Sequence, residues 1–195
     1  YRVEREIQSV LQTIPSYIKH IIVVDDASPD STADLVSASA KDDPRVLLMR
    51  HPSNQGVGGA MVTGYRKALA LEAQVVVKID GDGQMDMRYL PALLSPLIEG
   101  RADYAKGNRF RDFVSLQQMP LIRRVGNMGL AFLAKAATGY WNLFDPTNGF
   151  NAIRSEVLVQ LPLDSIDHTY YFETSMLANL YLIGAMVKDV PMPPR

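Results

Sequence analysis

Short β-branched runs alternate with segments of helical spacing along this sequence, and two of the runs close on paired carboxylates. Ile7, Val10, Leu11 and Ile14 recur at helical spacing until Pro15 stops them. His20–Asp26 (HIIVVDD) then reads as a buried parallel strand. Ser28, Asp30 and Ser31 are suited to cap a helix carrying Ala33 to Ala40, and Arg45–Arg50 (RVLLMR) is a second strand. A long helix is predicted from about Gly58 to Glu72, and Gln74–Asp80 (QVVVKID) is a third strand. Further on the pattern predicts a helix at Tyr89–Glu99, a strand at Tyr104–Asn108 and an amphipathic helix at Leu121–Ala137. A weak strand at Asn151–Arg154, a helix at Phe172–Ile183 and a last strand at Ala185–Val190 follow. Such alternation packs as an α/β sandwich around a mostly parallel sheet, whose ligands bind beyond the carboxyl ends of the strands.

The 195 residues fit one domain, with no repeat or linker. Lysine and arginine (20) nearly balance aspartate and glutamate (21), so no basic footprint for nucleic acid exists. The absence of cysteine excludes a disulfide framework and a thiolate zinc site. His20, His51 and His168 are scattered and read as ordinary surface or loop histidines. The longest uncharged stretch, Thr174 to Val187, falls short of the ~20 residues a membrane span needs. Opening inside a helical pattern and ending at PMPPR, the sequence reads as a piece of a longer protein.

The acid clusters carry the chemistry. Asp80 and Asp82 flank a single glycine, followed by Gly83 and Gln84. In an extended segment alternate residues face one way, so both carboxylates can address one ligand. Hard oxygen donors with glycine-made room suit Mg2+ or Mn2+ held jointly with a diphosphate. A polar Asp/Gly turn is the competing reading; the apolar strand before it and a second acid pair favour the ligand site. That pair, Asp25-Asp26, can accept hydrogen bonds from a ribose or base, or serve the following helix as a cap. The glycine-rich turn Asn54–Ala60 (NQGVGGA) lacks the last glycine of a dinucleotide fingerprint, Met61 standing there, and reads as a close backbone approach packing a helix on the sheet.

Taken in order, IIVVDDASPDST, HPSNQGVGGAMVTGYRKAL, VVVKIDGDGQ, KGNRF and FDPTNGFNAI resemble the family 2 glycosyltransferases of the GT-A fold, in the form found in dolichol-phosphate mannose synthases and their bacterial relatives. The resemblance covers almost the whole chain. It implies a three-layer GT-A-like sandwich whose first strand lies before Tyr1. By position, Asp25, Asp26 and Asp80 match the donor nucleotide-binding acids, and Asp82 the metal-binding acid, with Asp80 and Gln84 as further metal contacts. Arg109 matches the arginine near the donor diphosphate or acceptor phosphate, with Asn108 replacing the family's serine. Asp145 and Asn148-Gly149-Phe150 match the acceptor-side segment.

The resemblance further implies inverting transfer from a nucleoside-diphosphate sugar to a polyprenyl phosphate or a glycan precursor, at the cytoplasmic face of a membrane reached through parts outside this chain. A lipid phosphate is already anionic and needs no base, whereas a sugar hydroxyl requires a carboxylate, for which Asp145 and Glu173 are the candidates. Arg123 and Arg124, beside Ile122, Val125, Leu130 and Leu133, can hold a lipid phosphate or simply sit solvated on a core-facing helix. Two rival readings stay open on sequence: a nucleotidyltransferase, and a non-catalytic nucleotide-sugar-binding module.

Overall fold

The computed structural model describes residues 1–108, 135, 139–141, 143, 145, 148–169 and 171–192. Helix α1 (Ile7–Thr13) buries Ile7, Val10 and Leu11. It ends where Ile14 turns extended ahead of Pro15, whose ring disfavours a helical residue before it. Strand β1 (Ile21–Asp25), helix α2 (Thr32–Asp42) and strand β2 (Val46–Arg50) follow. Next come α3 (Gly56–Ala70), β3 (Val75–Lys78), α4 (Leu90–Ile98) and β4 (Tyr104–Asn108). After these lie β5 (Asn151–Arg154), the short α5 (Ser155–Leu158), α6 (Phe172–Leu182) and β6 (Val187–Pro191). The helix expected at Leu121–Ala137 falls outside the described residues, apart from Lys135.

Strands β1 and β2 pair in parallel as a two-stranded sheet. The other four form a sheet in the order β3-β5-β4-β6. There β4 and β6 are parallel, while β5 is antiparallel to both β3 and β4. Three strands therefore run one way and β5 alone is reversed, a mixed sheet with the expected parallel bias.

The strand period of two sorts side chains into layers. Tyr104, Ile153 and Val187 face one side and join Tyr65 of α3 and Phe172, Met176, Leu177 and Leu180 of α6 in a buried cluster. Ala105, Ala152 and Val190 face the other side and pack on Leu90, Leu93 and Leu97 of α4. Small alanines on that face let α4 approach closely. A third cluster ties Ile7, Leu11 and Ile14 to Ile21, Val36 and Val46 around the two-stranded sheet. The result is helix, sheet, helix.

Two helices end in the same way. Gly100 at φ +68° follows α4, with Arg101 N donating to Pro96 O at 2.8 Å and Gly100 N to Leu97 O at 3.2 Å. Gly184 at φ +71° follows α6, with Ala185 N donating to Leu180 O and Gly184 N to Tyr181 O, both at 3.0 Å. A left-handed glycine with this bond pair is the Schellman termination, and it aims the chain straight into β4 and β6.

The start of α2 departs from expectation. Asp30 Oδ1 accepts from Thr32 N at 3.2 Å, but Ser31 makes no side-chain cap. Ser28 and Thr32 instead accept from Arg2 N and Val3 N, both at 3.1 Å, pinning the segment before α1 across the end of β1. The β1 strand is also less buried than its composition suggests: Ile22, Val23 and Val24 are half-buried.

Candidate functional site

Both acid clusters lie at carboxyl ends of strands, Asp25-Asp26 at the end of β1 and Asp80–Asp82 after β3. Their environments differ. Asp25 is buried, accepts from Ser28 N at 3.3 Å, and lies 3.4 Å from the Arg50 guanidinium. Asp26 is buried and carries four partners. Its Oδ1 meets His51 Nδ1 at 2.7 Å and Gln55 N at 2.8 Å, its Oδ2 accepts from Gly56 N at 2.9 Å, and its carbonyl accepts from Asn54 Nδ2 at 3.2 Å. His51 continues to Thr63 Oγ1 at 2.9 Å, within α3. The acid thus anchors the first N–H groups of α3, where unpaired amides and the helix dipole favour negative charge. His51 is a buried link in this chain rather than a surface histidine.

The glycine-rich turn is a close approach, as the sequence suggested, but against a different neighbour. A Cβ on Gly58 would lie 2.2 Å from Asp167 O, and one on Gly56 2.4 Å from His168 O. Gly58 N donates to His168 O at 3.0 Å. The turn packs on the backbone leading into α6, while Gly64, nearly two helical turns after Gly58, faces β1 at Val24.

At the β3 end, Asp80 Oδ1 accepts from Lys78 Nζ at 2.9 Å. Gly81 and Gly83 then turn the chain, Gly83 at φ +73°, so Asp82 points to solvent and accepts from Gln84 N at 3.0 Å. Gln84 is exposed beside it. Asp80 is held; Asp82 is presented. Among the described residues no three carboxylate or imidazole groups converge on one point. A divalent ion here would take Asp80, Asp82 and the Gln84 amide oxygen, leaving the rest of its shell to diphosphate oxygens and water, which is the habit of Mg2+. The donor set fits.

Beneath Asp80 lies a charged cluster in which Glu173, a candidate base on sequence, meets two lysines that the sequence analysis did not single out. Lys78 and Lys106 are buried on β3 and β4, and Glu173, in the first turn of α6, bridges them. Its Oε1 is 3.1 Å from Lys78 Nζ and its Oε2 2.8 Å from Lys106 Nζ. Burial alone would lower the Lys78 ammonium, but Glu173 and Asp80 outweigh it and hold the group above its ordinary value. Burial, with Glu173 nearby, pushes the phenols of Tyr65 and Tyr104 up, far out of the titration range. A lysine inside VVVKID was the available signal, because a charge in a buried strand must be paired.

The segment entering β5 closes this site. Lys106 Nζ donates to Asn148 O, and Asn148 Oδ1 accepts from Phe150 N at 3.0 Å. Asn151 Nδ2 donates to Gly149 O at 3.0 Å and to Glu173 Oε2 at 3.4 Å. A Cβ on Gly149 would fall 2.5 Å from Asp80 Oδ2 and 2.6 Å from Lys78 Nζ, so a side chain there would push against the Asp80–Lys78 pair. Asp145 is fully buried, its carbonyl accepting from Asn148 N at 3.4 Å. The structure therefore gathers Asp80, Glu173 and Asn148 around two lysines. Arg109, Arg123 and Arg124 lie outside the described residues, as do Ile122, Val125, Leu130 and Leu133.

Comparison with known proteins agrees with this architecture. The model described as Glycosyl transferase family 2 matches residues 2–161, and the chain belongs to that family. Membership sets the nucleotidyltransferase alternative aside. An undecaprenyl-phosphate mannosyltransferase of Micrococcus luteus is 31% identical over 173 residues, 88% of this chain and 70% of that protein. A polyprenol monophosphomannose synthase of Mycolicibacterium smegmatis is 33% identical over 181 residues, covering 89% and 65%. A UDP-N-acetylglucosamine–dolichyl-phosphate N-acetylglucosaminyltransferase of Methanococcus voltae is 30% identical over 171 residues, covering 81% and 68%. Among solved structures, glucosyl-3-phosphoglycerate synthase of Mycobacterium tuberculosis bound to UDP aligns with a TM-score of 0.69 at 22% identity, over 98% of this chain and 67% of that one. A mannosyltransferase of Pyrobaculum calidifontis with GDP-Man and Mn2+ aligns at 0.60 and 20% identity, over 96% and 50%. These likenesses establish the GT-A fold expected from the sequence.

Proposed function

We propose that this glycosyltransferase moves a sugar, with inversion, from a nucleoside-diphosphate sugar to a polyprenyl phosphate, using Mg2+ or Mn2+. The observation that carries the reading is the pair of carboxylates at the β3 end, one fixed by Lys78 and one presented to solvent. Asp80, Asp82 and Gln84 would hold the ion, which when bound would supply neutralisation of charge on the departing nucleoside diphosphate. Asp25 and Asp26 flank the nucleoside; Asp26 acts by fixing the loop Asn54–Gly56, since its oxygens are taken by that loop and His51. Arg109 supports the leaving diphosphate, while Asn148 and Arg124 meet the acceptor.

In the reaction an acceptor phosphate oxygen bonds to the anomeric carbon as the bond to the diphosphate oxygen breaks. The nucleophile is already anionic, so no base is needed. The engagement of Glu173 by two ammonium groups supports that reading over a hydroxyl acceptor, because the carboxylate is occupied as a counter-ion. The names of the three sequence relatives, each a transferase to a polyprenyl or dolichyl phosphate, support the same acceptor class. No described helix is long and apolar enough to cross a membrane. Action at the cytoplasmic face of a membrane, reached through parts outside this chain, is part of the same proposal and is supported by the lipid-linked acceptors in those relatives' names.

Asp82→Asn tests the proposal. Calorimetry should show Mn2+-dependent binding of GDP or UDP to the parent protein and its loss, by at least about 10-fold, in the variant, with an unchanged melting temperature because Asp82 is exposed. Retained Mn2+-dependent affinity would remove Asp82 from the metal site.

A further inference from the structure

His51 follows β2 and spends its backbone N–H and both ring nitrogens on the protein. The backbone N donates to Asp25 O at 2.9 Å, Nδ1 meets Asp26 Oδ1 at 2.7 Å and Nε2 meets Thr63 Oγ1 at 2.9 Å. The residue is buried, so it does not itself meet a substrate. A carboxylate only accepts hydrogen bonds, which makes Nδ1 the donor to Asp26. Among the described residues His51 is the one side chain bonded to that carboxylate. The other two partners are backbone amides, Gln55 N at 2.8 Å and Gly56 N at 2.9 Å.

These bonds close a ring through three elements. Asp26, beyond β1, holds the first amides of α3; Thr63, about two turns into α3, holds the imidazole; and the imidazole, beyond β2, holds Asp26. Thr63 decides which way the imidazole faces, because a half-turn of the ring would offer carbon to both Asp26 and Thr63. The turn that this ring of bonds shapes is exposed. Ser53, Asn54 and Gln55 face solvent at the carboxyl ends of β1 and β2, where parallel strands present their ligands. Asn54 is fixed at both ends of its amide, Nδ2 donating to Asp26 O at 3.2 Å and Oδ1 accepting from Gly56 N at 3.1 Å.

We propose that His51 is a positioning residue for the sugar donor. With its ring set by Thr63, it aims the Asp26 carboxylate at Gln55 N and Gly56 N, and so fixes the shape in which the turn Asn54–Gly56 meets the donor's nucleoside. The proposal rests on the reading that the end of β1 flanks that nucleoside. A binding loop that is already ordered spares the ordering cost of binding, and it stays ordered only while its own supports are intact. Asp80, Asp82 and Glu173 are bonded to a separate set of residues. Loss of His51 therefore falls on donor affinity and not on the bond-making step.

The test is donor binding and steady-state kinetics on the full-length enzyme, with Mn2+, GDP- and UDP-sugars and polyprenyl phosphate. His51→Leu keeps the bulk and loses both ring bonds. It should weaken GDP or UDP binding and raise the donor KM by about 10-fold, the scale of one lost bond to a charged group. Turnover at saturating donor and the acceptor KM should stay within about 2-fold, the signature of lost donor binding alone. His51→Asn places an amide N–H near the position of Nδ1 and should recover donor affinity to within about 3-fold of the parent. His51→Gln places its amide near the position of Nε2, reaching Thr63 rather than Asp26, and should resemble His51→Leu. A residue that only packs would lower the melting temperature and the active fraction in all three variants and leave the donor KM unchanged, which overturns the proposal. So does a Gln variant that binds donor as well as the Asn variant. Should His51→Leu fail to fold, Thr63→Val releases the ring and must itself raise the donor KM. Asp26→Asn separates the proposal from the reading beneath it. Weaker donor binding in Asp26→Asn with none in His51→Leu removes His51 alone, whereas no effect in either removes the nucleoside from the end of β1.

Discussion

Asp80 and Asp82 stand one glycine apart and yet are given opposite tasks. Lys78 fixes the first beside the bare backbone of Gly149, while left-handed Gly83 turns the second outward. Glu173 illustrates the same principle from the other direction. In sequence it is an acid at a helix start, equally suited to be a base or a partner of the dipole. In the fold it separates two buried ammonium groups. Removing one member of a buried ion network leaves uncompensated charge, which costs about 3–5 kcal/mol. Glu173→Gln is therefore expected to lower the unfolding free energy by roughly that amount, while the turnover of the folded fraction stays within a few-fold. Full stability with turnover lost would instead mark Glu173 as a proton acceptor.

At the scale of elements, two glycines of α3 differ in what they admit. A Cβ on Gly64 would meet Val24 of β1 at an ordinary 3.6 Å, whereas Gly58 admits the backbone of Asp167 and His168 only because it is bare. Gly58→Ala would drive a methyl into a carbonyl oxygen, and overpacking of this kind typically costs about 1–3 kcal/mol. Chemical denaturation should show a loss in that range, and Gly100→Ala, which meets no neighbour but sits at φ +68°, should cost about 1 kcal/mol through backbone strain alone. A neutral Gly58→Ala would mean that the 167–168 backbone yields freely.

The same helix shows what was legible in the sequence. Its existence follows from periodicity, and so do β1, β2, β3 and their order. Its first residue does not. It begins at Gly56 rather than near Gly58, because Asp26, far away in the chain, accepts the leading N–H groups. Strand β5 was only weakly visible, being four residues with Asn151 and Arg154 at its ends, yet it holds the centre of the four-stranded sheet. Acids at strand ends were legible because burial does not explain them. Lys78 signalled that a buried strand carried a charge in need of pairing, but not by what, since Glu173 is supplied by a helix that only the tertiary fold brings near.

For the molecule as a whole, the buried cluster dictates how stability responds to alkali. Tyr65 and Tyr104 have raised folded values, and so does Lys78. A group raised on folding contributes stability in full below its unfolded value and loses it as pH climbs toward the folded one. Unfolded tyrosine titrates near ~10 and lysine near ~10.4, so the loss begins at about pH 10. Each such group steepens the decline by about 1.4 kcal/mol per pH unit. Of the nine tyrosines, Tyr65 and Tyr104 should fail to show phenolate absorbance until the protein unfolds, and Tyr104→Phe should flatten the alkaline limb. Smooth titration of all nine below the unfolding transition would contradict the buried cluster.

Transfer itself gives the most direct test of the whole account. Full-length enzyme, labelled nucleoside-diphosphate sugars, Mn2+ and polyprenyl phosphate should yield a labelled lipid-linked sugar. Chelation or Asp82→Asn should abolish it, and Arg109→Ala should slow it on the order of 10²-fold. Label appearing only on a glycan hydroxyl, or lipid product formed undiminished without the divalent ion, would contradict the account.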